Sequence, residues 1–231
     1  MVMPLWDDNP FRQPKTPWVT WGLIGANCIG FAIFVSSGPE IQAEISNSFG
    51  AVPLAVLTNT SLVSAFPPLL TLLTYQFLHF SWMHLLANML FLFVFGDNVE
   101  DATGSLRFVL FYLLCGVAGA LAYIASAPNS SVPLGGASGA VAGVIGAYLL
   151  LRPCAHITVI VLYLALRVRA YWVIGGWALL QLWQIETRAN DNVAYWSHIG
   201  GLIGGGVLFP LLRQNGVRLL ECVDPPPVVR T

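Results

Sequence analysis

The run Gly135-Gly136-Ala137-Ser138-Gly139-Ala140 delivers one hydroxyl to the start of an apolar segment, and His198, His84 and Asn88 are the polar side chains a serine could use. A serine hydroxyl is a weak nucleophile until a base takes its proton, and an imidazole is the usual base. Attack on a carbonyl builds negative charge on oxygen, which preorganised N–H donors stabilise. Ser138, His198, His84 and Asn88 therefore suit nucleophilic acyl transfer: Ser138 attacks, and His198 takes its proton and returns it to the leaving amine. The Ser138 backbone N–H, opening a helix, joins the side chains of His84 and Asn88 as oxyanion donors. An orienting carboxylate is missing. Asp97, Glu100 and Asp101 fall at the far end of the second apolar span, and Asp191 is about 10 Å along the chain axis from His198 even if helical. The expectation is a Ser138/His198 dyad. A lone serine at the mouth of a membrane helix is more often a cap or a packing group, so placement decides.

Of 231 residues, 56% are hydrophobic and 9% charged, and the mean hydropathy is +0.72. That exceeds what a soluble core of this size can bury and specifies a polytopic membrane protein. A net charge of −1 argues neither for a nucleic-acid nor for a strongly acidic partner, and none of the former is expected. Cys28, Cys115, Cys154 and Cys222 show no paired spacing and mostly adjoin apolar runs, so they read as buried thiols, not as a disulfide frame or a metal site. Residues 1–17 are polar and proline-broken, without the apolar core of a signal peptide, and form a cytoplasmic N-terminal segment.

The membrane domain covers residues 18–212 as an all-α bundle of six spans, 18–36, 83–99, 106–125, 138–151, 170–185 and 195–212, followed by a cytoplasmic tail, 213–231. Residues 38–81 form a long structured outer loop in the interface, and the short apolar run 157–166, too short to cross the bilayer, also lies there. With the N-terminus and C-terminus cytoplasmic, Arg12, Lys15, Arg107, Arg152, Arg167, Arg169, Arg213, Arg218 and Arg230 fall inside and only Arg188 outside.

Counting from the inner ends, Ser138 precedes Arg152 by fourteen residues and His198 precedes Arg213 by fifteen. Each therefore sits roughly 21 to 23 Å above the inner boundary of a hydrocarbon layer about 30 Å thick. The turn before Ser138 must dip into the membrane, which irregular backbone tolerates only when buried in protein or lining a watery cavity. His84 and Asn88 lie one turn apart on one face of the second span, near its outer end. Gly139 with Gly143, Gly200 with Gly204, and Gly201 with Gly205 are small-xxx-small pairs that let spans four and six approach closely. His79, off the His84 face, is assigned to loop anchoring.

At this level of detail the sequence resembles the rhomboid family of intramembrane serine proteases. Gly136-Ala137-Ser138-Gly139 resembles the family's GxSG motif, His84-Leu85-Leu86-Ala87-Asn88 its HxxxN motif, and His198-Ile199-Gly200-Gly201 its histidine motif. The likeness runs from about Thr20 to Leu212 and includes Phe77-Leu78-His79 and Phe95-Gly96-Asp97-Asn98. It implies a six-helix bundle that cuts single-span membrane proteins near the outer part of their transmembrane segments, with no metal and no cofactor. It also implies catalytic Ser138 and His198, with His84 and Asn88 at the oxyanion. Short termini and the absence of a transit peptide make a bacterial cytoplasmic membrane the expected setting, and the depth of Ser138 has the site opening outward. Two features depart from the family. Ala142 stands where many members carry an aromatic residue against the histidine, and residues 39–81 lack a Trp-Arg pair. An α/β-hydrolase elbow needs Gly where Ala140 stands, and no HExxH marks a metalloprotease. The remaining rival is a non-cleaving rhomboid-like chaperone that binds transmembrane helices, though such proteins typically lack the Ser or the His.

Overall fold

Helix α1, Trp18–Ser36, opens after Pro17 with no cap from its own chain neighbourhood. Its first N–H groups are satisfied from the next span instead. The buried Glu100 carboxylate accepts from Val19 N at 3.1 Å, Thr20 N at 2.8 Å and the Thr20 hydroxyl at 2.8 Å, and from Ser105 Oγ at 2.7 Å. A carboxylate at a helix N-terminus meets both the orphan donors and the positive end of the dipole. The structure, a computed structural model, describes residues 3–8, 16–61, 66–161, 164–187 and 193–222. Arg12, Lys15, Arg188, Asp191 and Arg230 lie outside the described residues.

The loop between the first two spans is a series of short helices. In α2, Pro39–Phe49, and α3, Pro53–Thr58, proline occupies the first turn, where its missing N–H costs nothing. Then come α4, Thr71–Thr74, and two 3-10 turns, Pro68–Leu70 and Tyr75–Phe77, on either side of it. Helix α5, Trp82–Thr103, begins at Ser81, whose hydroxyl accepts the His84 N–H. It continues past residue 99, where the second span was expected to end, so Glu100 and Asp101 are also helical, and the turn is made by Gly104 with φ 82°. Helix α6 is Ser105–Ser126 and α7 is Ser138–Leu151. Helices α8, Ala170–Thr187, and α9, Tyr195–Leu212, follow. Helices α1, α5 and α6 are long and apolar enough to cross a membrane, and α7 is a shorter apolar helix. Ile33, Leu121, Trp172, Leu179 and Leu211 project outward from the helices, as lipid-facing side chains do.

The protein is mostly helical but not all-α. Residues Met3–Asp7 form β1, His156–Val161 β2 and Leu164–Arg169 β3, an antiparallel sheet in the order β1-β2-β3. Pro4 faces Val159, and Ile160 faces Ala165. Of the run 157–166, residues 157–161 and 164–166 are thus paired strands. Its β-branched Ile157, Thr158, Val159 and Ile160 favour the extended pleat, and pairing on both sides of β2 satisfies its backbone. Ile157 and Val159 enter the helical core. Asp7 fastens β1 to the bundle: its Oδ2 accepts from Tyr148 Oη at 2.6 Å and Asn98 Nδ2 at 3.1 Å.

Two cysteines are not the thiols their spacing suggested. Cys154 and Cys222, 68 residues apart, form a disulfide with Cα atoms 4.9 Å apart, while Cys28 is exposed and Cys115 buried. The tail after α9 folds back on the end of α7, with Leu220 N donating to Leu150 O at 2.7 Å and Arg152 paired with Glu221. That proximity is a property of the fold, which spacing along the chain does not reveal. The described cations gather at this end: Arg107 donates to Arg213 O, Arg213 to Val217 O, Arg169 to Cys154 O, and Arg167 pairs with Asp8.

Candidate active site

The turn before Ser138 is held by the loop that precedes α5. Ala51 and Leu134 exchange two backbone hydrogen bonds of 3.0 Å, Gly136 N donates to Tyr75 O at 3.0 Å, and Ala137 N donates to His79 Nε2 at 3.4 Å. The irregular backbone of this turn is thereby bonded to protein. His79 is 0% exposed, and its Nε2 also receives Asn88 Nδ2 at 3.3 Å. Two donors on one nitrogen require the proton to sit on Nδ1. Burial first, and then the neighbouring His84, push His79 down to about 3. It stays a neutral acceptor throughout the physiological range, a loop anchor as expected.

Gly136 has φ +129°, a conformation that side chains rarely adopt, and a methyl there would lie 2.6 Å from His84 Nε2. The His84 ring therefore rests against the turn two residues before Ser138. Asn88, 5% exposed, donates from Nδ2 to His84 O at 2.9 Å as well as to His79, so the amide expected at the oxyanion also secures the anchor. Ser138 is the first residue of α7, and the N-cap is Ala137, without a side-chain bond. Its hydroxyl is half-buried and is not a cap.

Helices α7 and α9 cross with backbone contact. A methyl at Gly201 would overlap the Gly139 carbonyl oxygen, and one at Gly205 would overlap that of Gly143. Gly200 and Gly204 serve a different neighbour, abutting Ala122 and Ala118 of α6. Gly139 adjoins Ser138 and Gly201 lies one turn after His198, so the closest approach falls beside both residues. The His198 ring has its Nδ1 2.6 Å from Gln181 Oε1. Trp177 lies 6.0 Å from it, tilted by 30°, and Tyr195 lies 6.3 Å away, edge-on.

Residues 67–215 match the family profile described as Rhomboid domain. This chain belongs to the rhomboid family. It is 30% identical over 220 residues to the rhomboid protease GluP of Bacillus subtilis (strain 168), covering 91% of this chain and 39% of that protein. It is 37% identical over 127 residues to the chloroplastic rhomboid-like protein 11 of Arabidopsis thaliana, covering 55% of this chain and 43% of that one. With the putative rhomboid protease YdcA of Bacillus subtilis it shares 30% identity over 154 residues, covering 64% and 69%. The chain thus spans about two fifths of the length of the first two of these relatives.

In this rhomboid protein two of the side chains around His198, Gln181 and Trp177, come from α8, which the motifs do not include. Ala142 is buried on α7, and an aromatic ring is brought in by Trp177 of α8 instead. Gln181 and Trp177 were missed in the sequence. The available signal was an amide inside an otherwise apolar span, a costly placement that asks for a partner, with Trp177 one turn earlier on the same face.

Proposed function

We propose that this protein is an intramembrane serine endopeptidase, with Ser138 as nucleophile and His198 as general base, acting on single-span membrane proteins near the outer part of their transmembrane segments. The observation that carries the reading is the backbone contact of α7 with α9 beside Ser138 and His198, with Ser138 opening its helix and not capping it. Ser138 Oγ attacks the scissile carbonyl while His198 accepts its proton. The resulting oxyanion is met by the Ser138 N–H and by His84 and Asn88. Collapse expels the amine, protonated by His198, and water then releases the acyl group by the same steps in reverse.

In this reading α1, α5, α6, α7, α8 and α9 all span the bilayer, in the default setting a bacterial cytoplasmic membrane. Both chain ends and the cation-rich sheet face the cytoplasm, and the site opens outward. The gathering of the described arginines at one end supports that orientation. The test is cleavage of a single-span substrate panel by purified protein in detergent or liposomes. Wild type cuts, and Ser138→Ala and His198→Ala each abolish cutting while the protein still folds. Undiminished cleavage by the Ser138→Ala protein sinks the mechanism. Binding of the whole panel without cutting would assign the chain to the non-cleaving chaperones.

A further inference from the structure

We infer that Gln181 of α8 is the positioning residue of His198, in the place that an orienting carboxylate takes in a catalytic triad. The inference rests on the Ser138/His198 reading above. An amide oxygen can only accept, so the 2.6 Å contact between Gln181 Oε1 and His198 Nδ1 places the proton on Nδ1. In the neutral ring that leaves Nε2 as the free base. Unassisted, the imidazole divides its population between two tautomers, and only one of them presents Nε2 as acceptor. Gln181 selects that tautomer and fixes the ring rotation with the same bond.

The surroundings of Gln181 fit this role. It is 5% exposed in a helix otherwise dominated by apolar residues, where an amide needs a partner. Trp177, four residues earlier and on the same face, lies against the His198 ring, and Tyr195 approaches its edge. Orientation of the base therefore comes from α8 and the start of α9. Because an amide carries no charge, Gln181 does little to stabilise the imidazolium. Its effect is on tautomer and geometry, which separates it from an aspartate in the same place.

The experiment compares wild type with Gln181→Leu and Gln181→Glu, measuring kcat and KM on a single-span substrate across pH. It is paired with 15N NMR of histidine-labelled protein carrying Ser138→Ala, in which the four histidines make assignment practicable. Gln181→Leu is expected to lower kcat about 10- to 100-fold with KM little changed, and to replace the single Nδ1–H signature of His198 by a mixture. Gln181→Glu restores an acceptor, recovers most of kcat, and moves the acid limb of the profile upward by about one pH unit, since a carboxylate favours the imidazolium. Wild-type kcat together with an unchanged His198 tautomer in Gln181→Leu overturns the inference. So does a loss of kcat that Glu fails to rescue while the tautomer stays fixed, which would mark Gln181 as packing only. A wild type that cuts nothing defeats the proposed function, and the NMR comparison then still decides the role of Gln181.

Discussion

Replacing Gly201 by alanine should disable the site through α9 without touching a catalytic group. The new methyl would overlap the Gly139 carbonyl oxygen and lie 2.7 Å from its carbon and 3.1 Å from Cα. Carbon contacts relax near 3.5 Å, so α9 must retreat from α7 by about 1 Å. Rigid backbone on both sides leaves no side chain to yield, and the overpacking should cost about 1–3 kcal/mol. His198 lies one turn from Gly201 and moves with it, and a misplacement of about 1 Å can lower kcat on the order of 100-fold. Gly206 supplies the control on the same helix, because a methyl there meets nothing within 4 Å. Gly206→Ala should change stability by no more than about 0.5–1 kcal/mol and leave cleavage intact. The measurements are thermal unfolding in detergent and kcat and KM on a single-span substrate. If Gly201→Ala keeps kcat within about threefold, less than 1 kcal/mol of barrier, or if Gly206→Ala loses as much, then α7–α9 contact does not set the geometry of the site.

Two further outcomes concern the sheet end. Asp7 is pushed up to about 7, by burial first and then, against the Tyr148 hydrogen bond, by Asp97 and Asp8. A folded pKa above the unfolded value of 3.8 means that its contribution is complete below about pH 4 and is lost as pH rises through 7. Amide exchange at residues 3–8 should be faster, relative to intrinsic rates, at pH 8 than at pH 6, and Asp7→Asn should flatten the difference; equal protection in wild type at both values would refute this. With the cation-rich end in a reducing cytoplasm, Cys154 and Cys222 should be thiols in rapidly quenched cells and close on air oxidation of purified protein. A disulfide already present in quenched cells, read by maleimide mass shift, would reverse the proposed orientation.

The candidate residues Ser138, His198, His84 and Asn88 were legible because polar residues stand out in apolar spans. Helix α1 and the starts of α7 and α9 fell where composition and breakers put them. The acidic end of α5 did not, because Glu100 and Asp101 look like loop residues until Glu100 is seen capping α1. The hairpin was illegible for another reason: a short apolar run has the same composition whether it is strand, helix or interfacial loop, and its partner β1 lies over 140 residues away. Gln181, like the disulfide, acquires its meaning only from what the fold sets beside it.

The sheet and the disulfide also impose a parity rule on the topology. Strands that share N–H···O bonds must lie on one side of an apolar layer, so an even number of crossings separates β1 from β2. Helices α1, α5 and α6, which are long enough on their own, make three; the fourteen-residue α7 is the helix available to restore evenness. The bond from Cys154 to Cys222 likewise requires that α8 and α9 both cross or that neither does. Since α9 lies against α7 from Gly201 to Gly205, crossing by both is the consistent choice. Six spans satisfy this rule without any appeal to the placement of charge, and the rule holds whichever face of the membrane the sheet occupies.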